Sequence, residues 1–127
     1  MILVDSDVLI AHLRGHPTAR DWLIRARHDG PMAISVVTVA EVVGGMRSAE
    51  RQAVWRLLSA FRIEAATELV GRRAGELMRR YRRSHGCIGL GDYLIAATAD
   101  VNGLALATLN TRHFPMFPGL EPPFALA

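Results

Sequence analysis

The sequence predicts an α/β protein built on a parallel sheet of roughly four or five short strands. Three observations carry that expectation. Short strand-like runs recur at Ile2 to Val4, Met32 to Val37, Arg62 to Ala65 and Leu104 to Ala107, the first, second and last of them apolar. Segments with helical periodicity lie between them, and strands alternating with helices imply parallel βαβ units joined by right-handed crossovers. Finally, a chain of 127 residues that is 50% hydrophobic is one domain, residues 1–127, with enough apolar mass for a core that needs no disulfide.

Each element has its own signal. Ile2-Leu3-Val4 reads as a buried strand running into Asp5-Ser6-Asp7, and Val8 to Arg14 as a short helix that Gly15-His16-Pro17 breaks. Pro17 suits the first position of the next helix, Thr18 to His28, with Trp22, Leu23 and Ala26 inward. His12 and His16 have a spacing that can hold a metal, but a residue before proline avoids helical geometry. Met32 to Val37 is the second strand, followed by a helix carrying Glu41 and ending near Arg47. Glu50 to Phe61 is a helix with Val54, Leu58 and Phe61 on its inner stripe, and Arg62 to Ala65 a short third strand. Thr67 starts a long helix to about Ser84. Gly89-Leu90-Gly91-Asp92 opens another, with Leu90, Leu94, Ala97 and Val101 at helical spacing, and Gly103 ends it. Leu104 to Ala107 is the fourth strand, and a short edge strand is expected near Phe124.

Composition narrows the function classes. Cys87 is the only cysteine, so no internal disulfide forms and a reducing compartment is expected. No basic segment precedes the first apolar run, and no apolar run reaches a membrane span of roughly 18 residues. The expected location is the cytoplasm. All 15 basic side chains are Arg and the net charge is +3, which suits phosphate-rich partners because the guanidinium fork matches phosphate oxygens.

Open α/β sheets bind ligands at the carboxyl ends of their strands. Three acids fall at that edge: Asp5 ends the first strand, Glu41 lies in the first helical turn after the second, and Asp92 opens the helix leading to the fourth. Each has apolar neighbours, which is costly for a carboxylate without a cation. Clustered carboxylates with no Lys nearby suit a divalent cation with oxygen ligands, Mg²⁺ or Mn²⁺. Structural alternatives exist. Thr38 and Glu41 have capping-box spacing, Asp92 could serve the helix dipole, and Asp7 or Ser6 could cap the first helix, leaving Asp5 without a structural task. Asp100 lies too far along its helix from Asp92 to share a site.

Four stretches taken together resemble the PIN-domain ribonucleases, specifically the VapC-type toxins of toxin–antitoxin pairs. They are Ile2-Leu3-Val4-Asp5-Ser6-Asp7-Val8-Leu9, Ser35-Val36-Val37-Thr38-Val39-Ala40-Glu41, Gly91-Asp92-Tyr93-Leu94-Ile95-Ala96-Ala97-Thr98-Ala99 and Ala107-Thr108-Leu109-Asn110-Thr111-Arg112-His113-Phe114. The resemblance implies a three-layer α/β/α fold and an Mg²⁺-dependent endoribonuclease in which Asp5, Glu41 and Asp92 hold the metal. It also implies a homodimer and a cognate antitoxin, VapB-like, that inserts an Arg into the acidic pocket and lays an apolar segment along a helical groove. Asn110 stands where the family often has Asp, and His113 where a further Asp sometimes occurs. Asn110 then offers a carbonyl oxygen without charge, and one well-held Mg²⁺ is expected in the absence of RNA.

On the long helix, Val70, Ala74, Leu77, Met78 and Tyr81 cluster on one side, while Arg72, Arg79 and Arg83 line the opposite side. That row is a candidate RNA-binding surface. Two other readings compete. A haloacid-dehalogenase-like phosphatase also opens with strand-Asp-x-Asp, but it needs a mid-chain Lys, of which there is none, and a further acid where Ala96 and Ala97 stand. A non-catalytic PIN-like domain binding RNA or a partner would not need Asp5, Glu41 and Asp92 intact.

Overall fold

A computed structural model describes residues 1–126. In chain order the elements are β1 (Ile2–Val4), α1 (Ser6–Leu13), α2 (Pro17–Asp29), β2 (Met32–Ser35), α3 (Val36–Gly45), α4 (Arg51–Leu58), β3 (Arg62–Glu64), α5 (Glu68–Tyr81), α6 (Leu90–Val101) and β4 (Ala105–Ala107), with single 3₁₀ turns at Ser48–Glu50 and Thr111–His113. The strands form one parallel sheet in the order β3-β2-β1-β4. The first strand is therefore central, between β2 (Leu3 opposite Ala33) and β4 (Leu3 opposite Leu106).

Side chains alternate across a strand, and here the alternation divides the core in two. Leu3, Ala33 and Leu106 face a cluster completed by Val70, Ala74 and Leu77 of α5, and Tyr93, Ala96 and Ala97 of α6. Val4, Met32 and Ile34 face the opposite cluster with Val8, Leu9, Leu23, Val42, Val54 and Leu58 from α1 to α4. The result is a three-layer α/β/α sandwich. Both faces of the sheet are covered over β1, β2 and β4, whose sequences read as largely apolar runs rather than alternating ones, while the edge strand β3, Arg62-Ile63-Glu64, is more exposed.

Several boundaries differ from the expectation for local reasons. The β-branched run Val36-Val37 is helix, because the Ser35 hydroxyl accepts the Val37 N–H at 3.0 Å and caps α3. The expected helix from Glu50 to Phe61 is divided into a 3₁₀ turn and α4, which stops at Leu58. The long helix ends at Tyr81, so Arg82 and Arg83 lie beyond its regular turns. In α6, Ala97, Leu94 and Val101 face the core as expected, but Leu90 is 60% exposed, and the buried set is wider, with Tyr93 and Ile95 through Ala99 buried. No strand occurs near Phe124 among the described residues; Phe124 packs instead on Trp22, ring centroids 6.1 Å apart.

Candidate active site

The acids gather where β1, α3 and α6 meet. Asp5 follows β1 directly, and its backbone N–H donates to the Ala107 carbonyl at 2.9 Å, so the sheet continues up to the site. The residue is 4% exposed. One carboxylate oxygen, Oδ1, accepts the Ser6 N–H at 2.8 Å, which makes Asp5 itself the N-cap of α1. Asp5 rather than Ser6 or Asp7 takes that cap, and it does so with one oxygen only. The other oxygen, Oδ2, accepts the Thr108 hydroxyl at 2.7 Å.

Glu41 is not held in a capping box. With Ser35 as the cap, Thr38 lies inside α3 and its fully buried hydroxyl has no partner. The Glu41 side chain reaches instead to the opening turn of α6. A Cβ at Gly91 would meet Glu41 Oε2 at 3.3 Å and Val37 Cγ1 at 3.6 Å, so glycine at this position leaves the room that Glu41 occupies. Asp92, next along that turn, accepts the Gly89 N–H at 3.1 Å and lies 3.1 Å from His113 Nδ1 through the same oxygen, Oδ2. Asp92 thus caps the start of α6 as well as sitting at its positive end, with its other oxygen uncommitted. Exposure rises in the order Asp5 (buried), Asp92 (intermediate), Glu41 (exposed).

The three acids feel one another. Burial pushes the Asp5 carboxyl up to about 6, reinforced by the charges of Asp7 and Asp92 and partly offset by the Thr108 and Ser6 hydrogen bonds. Glu41 is raised by burial and by Asp5 and Asp92, with the Ser6 hydroxyl acting against them. Asp7 is raised by burial, against which the Leu109, Thr108 and Asn110 donors work. A carboxylate with a raised folded-state pKa contributes stability that is fully present below its unfolded value and lost as pH rises through the folded one. The metal-free protein should therefore melt at a lower temperature at about pH 7.5 than at about pH 5. Thermal unfolding in EDTA checks this, and Asp5→Asn should flatten the difference. A metal-free protein more stable at the higher pH contradicts it.

The donor set fits a hard divalent cation: three carboxylates, all oxygen, and no arginine paired with any of them among the described residues. It is not a finished coordination shell. Among the described residues no three His, Cys, Asp or Glu side chains stand close enough to hold an ion as they are.

Two features had no strong sequence signal. Asp7 is neither cap nor bystander: its Oδ2 accepts the N–H groups of Leu109 and Asn110, both at 3.0 Å, and the Thr108 hydroxyl at 3.3 Å. It clamps the loop that carries Asn110 to the start of α1. Thr108, fully buried, joins Asp5 to Asp7. Asn110 is brought to the edge of the site by its backbone, and the residue is exposed. By contrast, His12 and His16 do not form a metal site: His12 lines an apolar cavity, and His16 precedes α2 in extended conformation. Of the arginine row, Arg72 is engaged by Glu68 at 3.5 Å.

The family model of the PIN domain matches residues 2–118 of this chain. The chain belongs to the PIN-domain family. Ribonuclease VapC10 of Mycobacterium tuberculosis is 72% identical over 126 residues, covering 99% of this chain and 95% of that protein. Ribonuclease VapC19 of the same organism is 43% identical over 125 residues, 98% of this chain and 100% of its length. Within the family, then, the chain is of the VapC type. Among solved structures, a toxin–antitoxin complex from Klebsiella pneumoniae is 31% identical with a TM-score of 0.79 over 98% of each chain. VapBC2 from Rickettsia felis, bound to a promoter DNA fragment, is 25% identical with a TM-score of 0.74 over 94% of this chain and 96% of that one. The phosphatase reading is set aside by this membership. No helix among the described residues is long and apolar enough to cross a membrane.

Proposed function

We propose that this protein is a metal-dependent endoribonuclease and the toxin of a type II toxin–antitoxin system. The observation that carries the reading is the set Asp5, Glu41 and Asp92: three acids from three elements, within one another's field, at the carboxyl edge of a parallel sheet. Relatives named as ribonucleases support the substrate class. Asp5 and Asp92 would be the main ligands of Mg²⁺ or Mn²⁺, with Glu41 ligating or orienting water. A divalent cation there supplies Lewis-acid polarisation of a phosphoryl oxygen and activation of water.

The protein's own groups do the rest. Thr108 and the Ser6 N–H fix the Asp5 carboxylate from opposite sides. His113 and the Gly89 N–H fix Asp92. Glu41, the most exposed of the three and raised in pKa, is the carboxylate suited to take a proton from attacking water as the phosphodiester opens. Asn110 presents a neutral amide at the edge, fit for a phosphate or sugar oxygen.

The antitoxin has a surface to match. Between α2 and α4 lies a cavity of about 220 Å³ with Leu23, Ile24, Leu57 and Phe61 in its lining and Arg20 and Arg27 beside them. A segment with one apolar and one acidic face fits it, and an Arg from its tail would relieve the repulsion among the acids. Complexes of related toxins with antitoxins support this partner, and the active unit is taken to be a homodimer. The test is incubation of purified protein with total RNA in Mg²⁺ and in EDTA, with mapping of the new ends. Cleavage at discrete positions that EDTA removes is expected; cleavage undiminished by EDTA, or binding without cleavage, overturns the reading.

A further inference from the structure

Six arginines lie between residues 72 and 83, and three of them are already committed. Arg72 pairs with Glu68. Arg73 donates to Asp100 at 2.6 Å and lies 3.6 Å from Glu76. Arg80 stacks over the Tyr81 ring, 5.2 Å from its centroid. The other three, Arg79, Arg82 and Arg83, are exposed and have no ion-pair partner among the described residues. They line a single cavity of about 300 Å³ with no other residue contributing. Guanidinium groups that converge without a carboxylate repel one another, and an anion between them removes that repulsion. The helix dipole at the end of α5 favours a cation in the last turn, which accounts for Arg79 but not for two more beyond it.

The location narrows the anion. Helices α5 and α6 form an antiparallel hairpin, because the Arg73–Asp100 pair joins the start of one to the end of the other. The arginine cavity is thus at the closed end of the hairpin, where α6 begins at Leu90 and carries Asp92 in its first turn.

We infer that Arg79, Arg82 and Arg83 form a phosphate-binding site for the backbone of single-stranded RNA, lying on the α5–α6 turn beside the acid cluster. This rests on the ribonuclease reading and deepens it: the acids cut at one phosphodiester while the arginine cavity holds the strand at another phosphate. It also revises the row expected from helical periodicity, replacing Arg72 with Arg82. The site reads charge rather than base identity, so it contributes affinity and register but no sequence preference.

The experiment measures binding of a fluorescent single-stranded oligoribonucleotide in EDTA across a salt series, with cleavage kinetics in Mg²⁺ run separately. The combined variant Arg79→Gln, Arg82→Gln and Arg83→Gln is compared with a charge-matched one on α2 and α4, Arg25→Gln, Arg51→Gln and Arg56→Gln. The expected result is a salt slope shallower by about 0.7 for each RNA phosphate that is no longer neutralised, with KM raised and kcat unchanged, in the first variant only. Equal losses in both variants would reduce the effect to overall charge and overturn the site. So would unchanged binding in the first variant while wild-type protein cleaves RNA, or a loss confined to antitoxin binding, which would assign the cavity to an acidic protein. Wild-type protein that neither binds nor cleaves RNA would remove the ribonuclease reading and this site together.

Discussion

Asp5→Asn and Asp92→Asn should each abolish RNA cleavage by the purified protein while leaving it folded. The loss should exceed the roughly 10–100-fold typical of residues that merely support a metal ligand. Both substitutions keep the side chain's shape and remove its charge. A neutral amide cannot balance a divalent cation, and the Asp5 oxygens that accept the Ser6 N–H and the Thr108 hydroxyl are the same atoms that would face the metal. Misfolding is readily separated from loss of chemistry. Asp5 is a buried acid whose ionisation burial opposes, so Asp5→Asn should hold or raise the melting temperature of the metal-free protein near neutral pH. Cleavage close to wild type in either variant would dismiss the metal-centred mechanism.

Asp7→Ala should cost about 1–3 kcal/mol of stability, the usual penalty for stranding buried donors. The substitution leaves the Leu109 and Asn110 N–H groups without their acceptor and removes one of the two carboxylates on Thr108. Relief of repulsion with Asp5 offsets part of that cost, because each raised carboxyl destabilises the ionised pair. Activity should fall as well, by about 10–100-fold, since the clamp sets the loop bearing Asn110. Asp7→Asn retains one carbonyl acceptor and should recover most of the stability. Denaturant unfolding of the two variants, with cleavage assayed in parallel, decides the matter: equal stability of Asp7→Ala and wild type would show that the clamp holds nothing.

Much of this arrangement is legible in the residues themselves. The alternation of apolar runs and helical segments leads to a parallel sheet, and acids at the carboxyl ends of strands point to Asp5, Glu41 and Asp92. What sequence does not display is non-local. The partners of Asp7 and Thr108 lie more than a hundred residues apart in the chain, with separations of 101 to 103, and no local pattern marks such a pair. The pairing of Arg72 is missed for a different reason. Angular counting places it opposite the apolar side but ignores Glu68 one turn earlier, whose pairing follows from ordinary helix spacing. Both Arg82 and Arg83 lie past the end of the helix at Tyr81, where a fixed angle per residue ceases to apply.

The central strand of the sheet is also the first stretch of the chain, and its β4 neighbour lies near the other end. During synthesis β1 therefore emerges long before the strand that pairs with one of its two edges. Until residues 105–110 have been made, Asp5 lacks its Thr108 donor and Asp7 has no loop to grip. A partly made chain can bury the layer formed by α1 to α4 but cannot complete the acid cluster, because long-range pairings form only once both segments are available. The order in which the polypeptide appears thus delays assembly of the acid cluster until β4 and the loop after it, residues 105–110, have been made.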